Sequence, residues 1–187
     1  MHKTLDIVAI VGSLRRDSFT RRLVRSFDGL LPATVRIEIV GIGELPFYNQ
    51  DMGSSPPMAW REFRERIKRA DAVLFATPEY NRSVSGVLKN AIDVGSRPYG
   101  SSVWAGMPAA IVSTSPGAMG GFGANHHLRQ ALVCLDMPTM HQPEAYIGGA
   151  DKLVDSDGQF LNPITQDFFV VFLQTFESWI RRQIAEI

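Results

Sequence analysis

The stretch Val8–Leu23, VAIVGSLRRDSFTRRL, changes character twice. An apolar run stops at Gly12, gives way to hydroxyls and arginines, and then resumes a helical pattern. A strand that is apolar at successive positions has no face to turn toward water. Both its sides must therefore be covered, which is the situation inside a parallel sheet flanked by helices.

Working outward from it, Leu5–Val11, Ala72–Thr77 and Ala109–Thr114 are all short apolar runs that fail to alternate cleanly. Val35–Val40 alternates better and suits a strand near an edge. Asp136–Met140 is the expected fifth strand. Helical spacing lies between these runs: Trp60, Phe63 and Ile67 share one face, as do Leu128, Leu132 and Leu135. Near the end, Phe168, Phe172, Phe176, Trp179 and Ile180 form a wide apolar stripe, which Asn162 caps and Pro163 opens. Strands alternating with helices predict a three-layer α/β fold, a single domain spanning residues 1–187. Gly53–Pro57 and Gly148–Gly158 read as loops.

Whole-chain properties narrow the function. The 19 basic and 19 acidic residues cancel, which speaks against general affinity for nucleic acid or anionic membrane. The first apolar run is too short for a signal segment, and no later run reaches membrane-spanning length. A lone cysteine, Cys134, fits a reducing compartment, so the expected location is cytoplasmic.

In an open parallel sheet, ligands bind beyond the carboxyl ends of the strands. Gly12–Ser18 lies there, just ahead of a helix whose first N–H groups and dipole favour an anion. Ser13 and Ser18 can donate hydroxyl hydrogen bonds, Thr20 is within reach, and Arg15 can bind phosphate oxygens bidentately. Either serine alone reads more readily as a helix cap than as a ligand; the combination points to a phosphate monoester. No Gly-Lys-Ser/Thr follows and the spacing is not G-x-G-x-x-G, so neither a Walker loop nor a dinucleotide fingerprint is present. Arg21, Arg22 and Arg25 read as a solvated helix face.

After the third strand, Pro78, Glu79, Tyr80 and Asn81 set a rigid exit, a carboxylate, a ring and an amide at the sheet edge. These suit the rim of a flat heterocycle, or else a local strand-to-helix turn. Ser85 and Gly86 open the next helix. The fourth strand ends in STSPGAMGGFG, Ser113–Gly123, where several glycines permit close backbone approach. His126 and His127 are adjacent and point apart on a helix, with no thiolate pair or carboxylate to complete a metal set, so no metal is expected.

Together these loops resemble the NAD(P)H-dependent FMN reductase family, in particular bacterial quinone and chromate reductases of flavodoxin-like fold. The resemblance is carried by GSLRRDSFT at Gly12–Thr20, PEYN at Pro78–Asn81, GVLKNAID at Gly86–Asp93, SRP at Ser96–Pro98 and GGFGANHHLRQAL at Gly120–Leu132. It implies a five-stranded parallel sheet in the order 2-1-3-4-5. It implies that Ser13, Arg15, Ser18 and Thr20 hold the FMN phosphate, that Pro78, Glu79, Tyr80 and Asn81 line the isoalloxazine, and that Ser115 and Gly117 close its other edge. Hydride would pass from NADPH or NADH to flavin N5 and on to a quinone, with chromate, azo or nitro compounds as alternative acceptors. No protein residue is then an obligate acid, base or nucleophile. The rival reading is a flavodoxin-like electron carrier without turnover. The resemblance also implies a homodimer or homotetramer, for which Trp104, the Tyr99–Gly106 loop and Glu144 offer candidate contacts.

Overall fold

The computed structural model describes residues 3–155 and 157–185. Five strands, β1 (Leu5–Val11), β2 (Val35–Val40), β3 (Ala72–Pro78), β4 (Ala109–Thr114) and β5 (Ala145–Ile147), form one sheet in the order β2-β1-β3-β4-β5. Every pairing is parallel. Five α-helices connect and cover them: α1 (Phe19–Ser26), α2 (Met58–Lys68), α3 (Gly86–Gly95), α4 (Phe122–Cys134) and α5 (Pro163–Ala185).

The strand periodicity divides the core in two. Leu5, Ile7, Ala9 and Val11 face Leu23, Phe27, Phe169, Phe172 and Phe176 of α1, α5 and the turn after α1. Val8 and Ile10 face the other way, into Trp60, Phe63 and Ile67 of α2, Leu88 and Ile92 of α3, and Leu128 and Leu132 of α4. Because both faces are packed, β1, β3 and β4 are buried almost throughout, which is why they show no polar alternation. β2, at one edge, alternates. Asn162 accepts the Ile164 N–H at 2.9 Å and starts α5 ahead of Pro163, as its sequence indicates.

Two expectations need correction. The fifth strand is not Asp136–Met140. That segment touches β4 through a single bridge, Ala109 to Thr139, in which Ala109 donates to the Pro138 carbonyl and Met140 donates to Ala109. The ladder resumes only at Ala145–Ile147, opposite Val112–Thr114. Trp104 is not available to a partner chain either. It is fully buried, its Nε1 donates to the Ile92 carbonyl at 2.9 Å, and it packs beside Phe63 and Phe75. Gly95 makes room for it, since a Cβ there would lie 2.3 Å from the indole.

Candidate functional site

The order of strands reverses between β1 and β3, and at that point the loops after β1, β3 and β4 converge on a cleft of about 120 Å³. Ser13, Arg15, Ser18 and Thr20 line one side. Pro78, Glu79 and Tyr80 line another, and Thr114, Ser115 and Pro116 a third. Eight of the ten residues expected from sequence are thus brought together. The other two lie in adjoining turns: Asn81 follows Tyr80, and Gly117 donates its N–H to Ser115 Oγ at 3.1 Å.

The first loop is built by α1. Ser18 is its N-cap, with Oγ accepting the Arg21 N–H at 3.1 Å. The capping and ligand readings of Ser18 are compatible, because accepting that bond leaves the hydroxyl hydrogen free to donate. Thr20 and Thr114 share a buried hydroxyl–hydroxyl bond of 2.6 Å between α1 and β4. The pair has two hydroxyl hydrogens and spends one on this contact, so one remains for a ligand. Arg15 is exposed and lies over the Phe19 ring at 5.1 Å. Arg21 is less solvated than its sequence suggests. Its guanidinium donates to the Ser13 carbonyl at 3.3 Å, and its Nε is buried without a partner.

The second loop turns tightly. Tyr80 and Ser83 exchange backbone bonds of 2.9 and 3.0 Å around Asn81 and Arg82, both at positive φ, 53° and 64°. Asn tolerates that conformation; Arg does so less readily. Glu79 has a role that its spacing does not reveal. Its carboxylate accepts the Ala124 N–H of α4 at 3.2 Å and pairs with Arg82 at 2.7 Å. The charge therefore caps a helix N-terminus, where a carboxylate is favoured. Gly123 permits this, since a Cβ there would sit 3.0 Å from the Glu79 carboxylate.

The third loop is held at both ends. Ser115 donates its N–H to the Ile147 carbonyl and accepts from Ala150. Gly120, at φ 58°, lies so close to Tyr146 that a Cβ would come within 2.4 Å of its carbonyl carbon. Ser113 Oγ donates to the Gly120 carbonyl at 2.8 Å. Nearby, His126 and Tyr146 are joined at 2.9 Å, with Phe122 against the imidazole. Burial, reinforced by Glu144, pushes the Tyr146 phenol up to about 12. His127 turns the other way, to Ser83 Oγ at 2.7 Å. Thr114, Phe19 and Pro116 also line the cleft, and nothing in their types or spacing marks them for it in the sequence.

Residues 5–152 match the family of NADPH-dependent FMN reductases. The chain is 56% identical to a quinone reductase of Pseudomonas putida, covering 97% of each protein. It is 44% identical to a 2-hydroxy-1,4-benzoquinone reductase from a Burkholderia species, covering 95% of this chain and 97% of the relative. Among solved structures, the flavoenzyme FerB of Paracoccus denitrificans, an NAD(P)H:(acceptor) oxidoreductase, superposes with a TM-score of 0.91. Its identity is 37%, with 96% of this chain and 98% of that one covered.

Proposed function

This chain belongs to the NADPH-dependent FMN reductase family, and from that premise we propose that it oxidises NADPH or NADH and reduces quinones through bound FMN. The observation that carries the reading is the donor set of the cleft: two hydroxyls, a further threonine hydroxyl, the α1 N-terminus and an arginine converge at a topological switch point. Such a set fits a phosphate dianion. The similar proteins named as quinone reductases support the acceptor class, and none of them favours a carrier without turnover.

When bound, FMN supplies the two-electron chemistry that no side chain can perform. The protein's share is placement. Ser13, Ser18, Thr20 and Arg15 would hold the phosphate. Pro78, Glu79, Tyr80 and Asn81 would border the ring system on one side, and Ser115 and Gly117 on the other. Glu79 would contribute backbone rather than charge, because its carboxylate is engaged by Ala124 and Arg82. Tyr80 is 45% exposed, and on this reading the outer side of the ring system would be open to flat partners. A site with one open face discriminates weakly, so chromate, azo and nitro compounds belong to the proposed acceptor range. The proposal treats the whole chain as one flavin-binding domain. A lone cysteine in 187 residues suits a reducing cytoplasm. Self-association into a dimer or tetramer is part of the same reading.

The test is anaerobic addition of NADPH or NADH to the FMN-loaded protein. The flavin absorbance should bleach without any added reductase and return when benzoquinone follows. Bound FMN that resists both nucleotides, or a protein that takes up no FMN, overturns the proposal.

A further inference from the structure

The sheet has two edges, and they differ in what they offer a neighbour. β5 presents three residues, Ala145–Ile147. β2 presents six, Val35–Val40, with no proline and no bulge against β1. The ladder decides which of its backbone groups point outward. Leu5, the register partner of Val35, donates its N–H to the Thr34 carbonyl at 2.8 Å. In a parallel pair the bonds run to the residues flanking the register partner, so Thr34, Arg36, Glu38 and Val40 turn toward β1. Val35, Ile37 and Ile39 turn away from it. Val35 spends its N–H on the Pro32 carbonyl at 2.9 Å, whereas the N–H groups of Ile37 and Ile39 have no partner among the described residues.

The side chains along this edge are sorted by face. Ile37 and Ile39 lie half-buried on the α1 side, where a groove of about 420 Å³ runs between the strand and Val24, Arg25 and Asp28. Arg36 and Glu38 lie on the α2 side, paired with Asp6 at 3.2 Å and Arg66 at 2.6 Å. Both remain largely in water, with side chains 67% and 53% exposed.

A second copy of the same strand completes this edge. An antiparallel partner related by a two-fold axis gives a closed pair, and the residue on the axis sets the register. With Ile37 there, it exchanges both backbone bonds with its copy, and each Ile39 N–H reaches the partner's Val35 carbonyl. Arg36 then stands opposite the partner's Glu38, and Glu38 opposite the partner's Arg36. These are the non-hydrogen-bonded positions, where opposed side chains come nearest. Moving the axis by one residue sets Arg36 against Arg36 or Glu38 against Glu38, which is unfavourable. The charges therefore select one register, and the short β5 edge gives the joined sheet little on which to grow further.

We propose that two copies of the chain join by antiparallel pairing of their β2 edges about Ile37. The pairing needs no flavin, so it stands or falls apart from the reading above. A different two-fold contact on another face would combine with it into a tetramer. Native mass spectrometry at roughly 10 µM tests it on FMN-loaded R36E and E38R, each alone and then mixed. Each reversal sets like charges opposite at both positions, so association should weaken about tenfold or more and the assembly should halve. In the mixture opposite charges face again, and one variant should pair with the other. Ile37→Pro removes an outward N–H without touching the β1 ladder, and it should halve the assembly with FMN content unchanged. Should that variant fail to fold, the mixing experiment decides alone. A monomeric native protein, reversals that keep the native assembly, or variants that stay apart when mixed overturn the proposal.

Discussion

Arg21 is the residue where sequence pattern and structure differ most usefully. In sequence it joins Arg22 and Arg25 on what reads as a solvated helix face. In the fold its backbone N–H is held by Ser18 Oγ, its guanidinium reaches the Ser13 carbonyl, and its Nε is buried without a partner. It therefore braces the first loop from behind, setting a partly desolvated positive charge on the Ser13 carbonyl though outside the residues that line the cleft. The substitution Arg21→Met keeps the stem and removes the charge. FMN affinity should fall roughly fivefold, about 1 kcal/mol, while riboflavin, which lacks the phosphate, should bind as before. Fluorescence titration with both flavins decides. Equal weakening of the two would mean Arg21 matters only for folding of the loop, and no change would remove the charge argument. That Ser13, Ser18 and Arg15 gather at one loop is legible in the sequence because their types and spacing are local. The Thr20–Thr114 bond and the diversion of Glu79 to α4 are not, since each depends on residues far away in the chain that only the sheet brings close.

At the scale of elements, the strands buried on both faces and the helices with wide apolar stripes announce themselves, because burial writes its periodicity into the sequence. β5 does not. Three residues cannot display a period, and its position is set by pairing with Val112–Thr114 rather than by its own composition. Asp136–Met140 is more strand-like in sequence, but Pro138 has no N–H to give a ladder, and the contact with Ala109 ends after one bridge. The α4 entry shows the same dependence on partners. Gly120 and Gly121 both take positive φ, and Gly120 presses against the Tyr146–Ile147 backbone of β5. Gly120→Ala would combine an unfavourable left-handed alanine with a backbone overlap that no flexible side chain can relieve. The expected loss is about 2–4 kcal/mol in urea unfolding, larger than a left-handed penalty alone. A loss under about 1 kcal/mol would show that the β5–α4 contact yields easily. Gly29, where a Cβ meets nothing within 4 Å, supplies the control for the same change.

For the molecule as a whole, the balanced charge leaves no strong field to steer partners, and no helix among the described residues is long and apolar enough to cross a membrane. What the surface does present is apolar side chains along one side of α4. Phe122 and Val133 are separated by eleven residues, three helical turns, and are 44% and 75% exposed, with His126 packed on Phe122 between them. Met119, just before the helix, is also exposed. The proposed self-association therefore shifts from Trp104, which serves the protein's own core, to this face. The charge change Val133→Glu at so exposed a position costs the isolated chain little, but a carboxylate buried without a partner between two copies would oppose contact strongly. In sedimentation velocity at roughly 10 µM, the native protein should run above its 20.7 kDa chain mass and Val133→Glu should fall toward it, with FMN retained by both. A native protein that sediments as a monomer at every concentration removes self-association from the proposal, whereas an oligomer indifferent to Val133→Glu places the contact on another face and leaves α4 to the monomer.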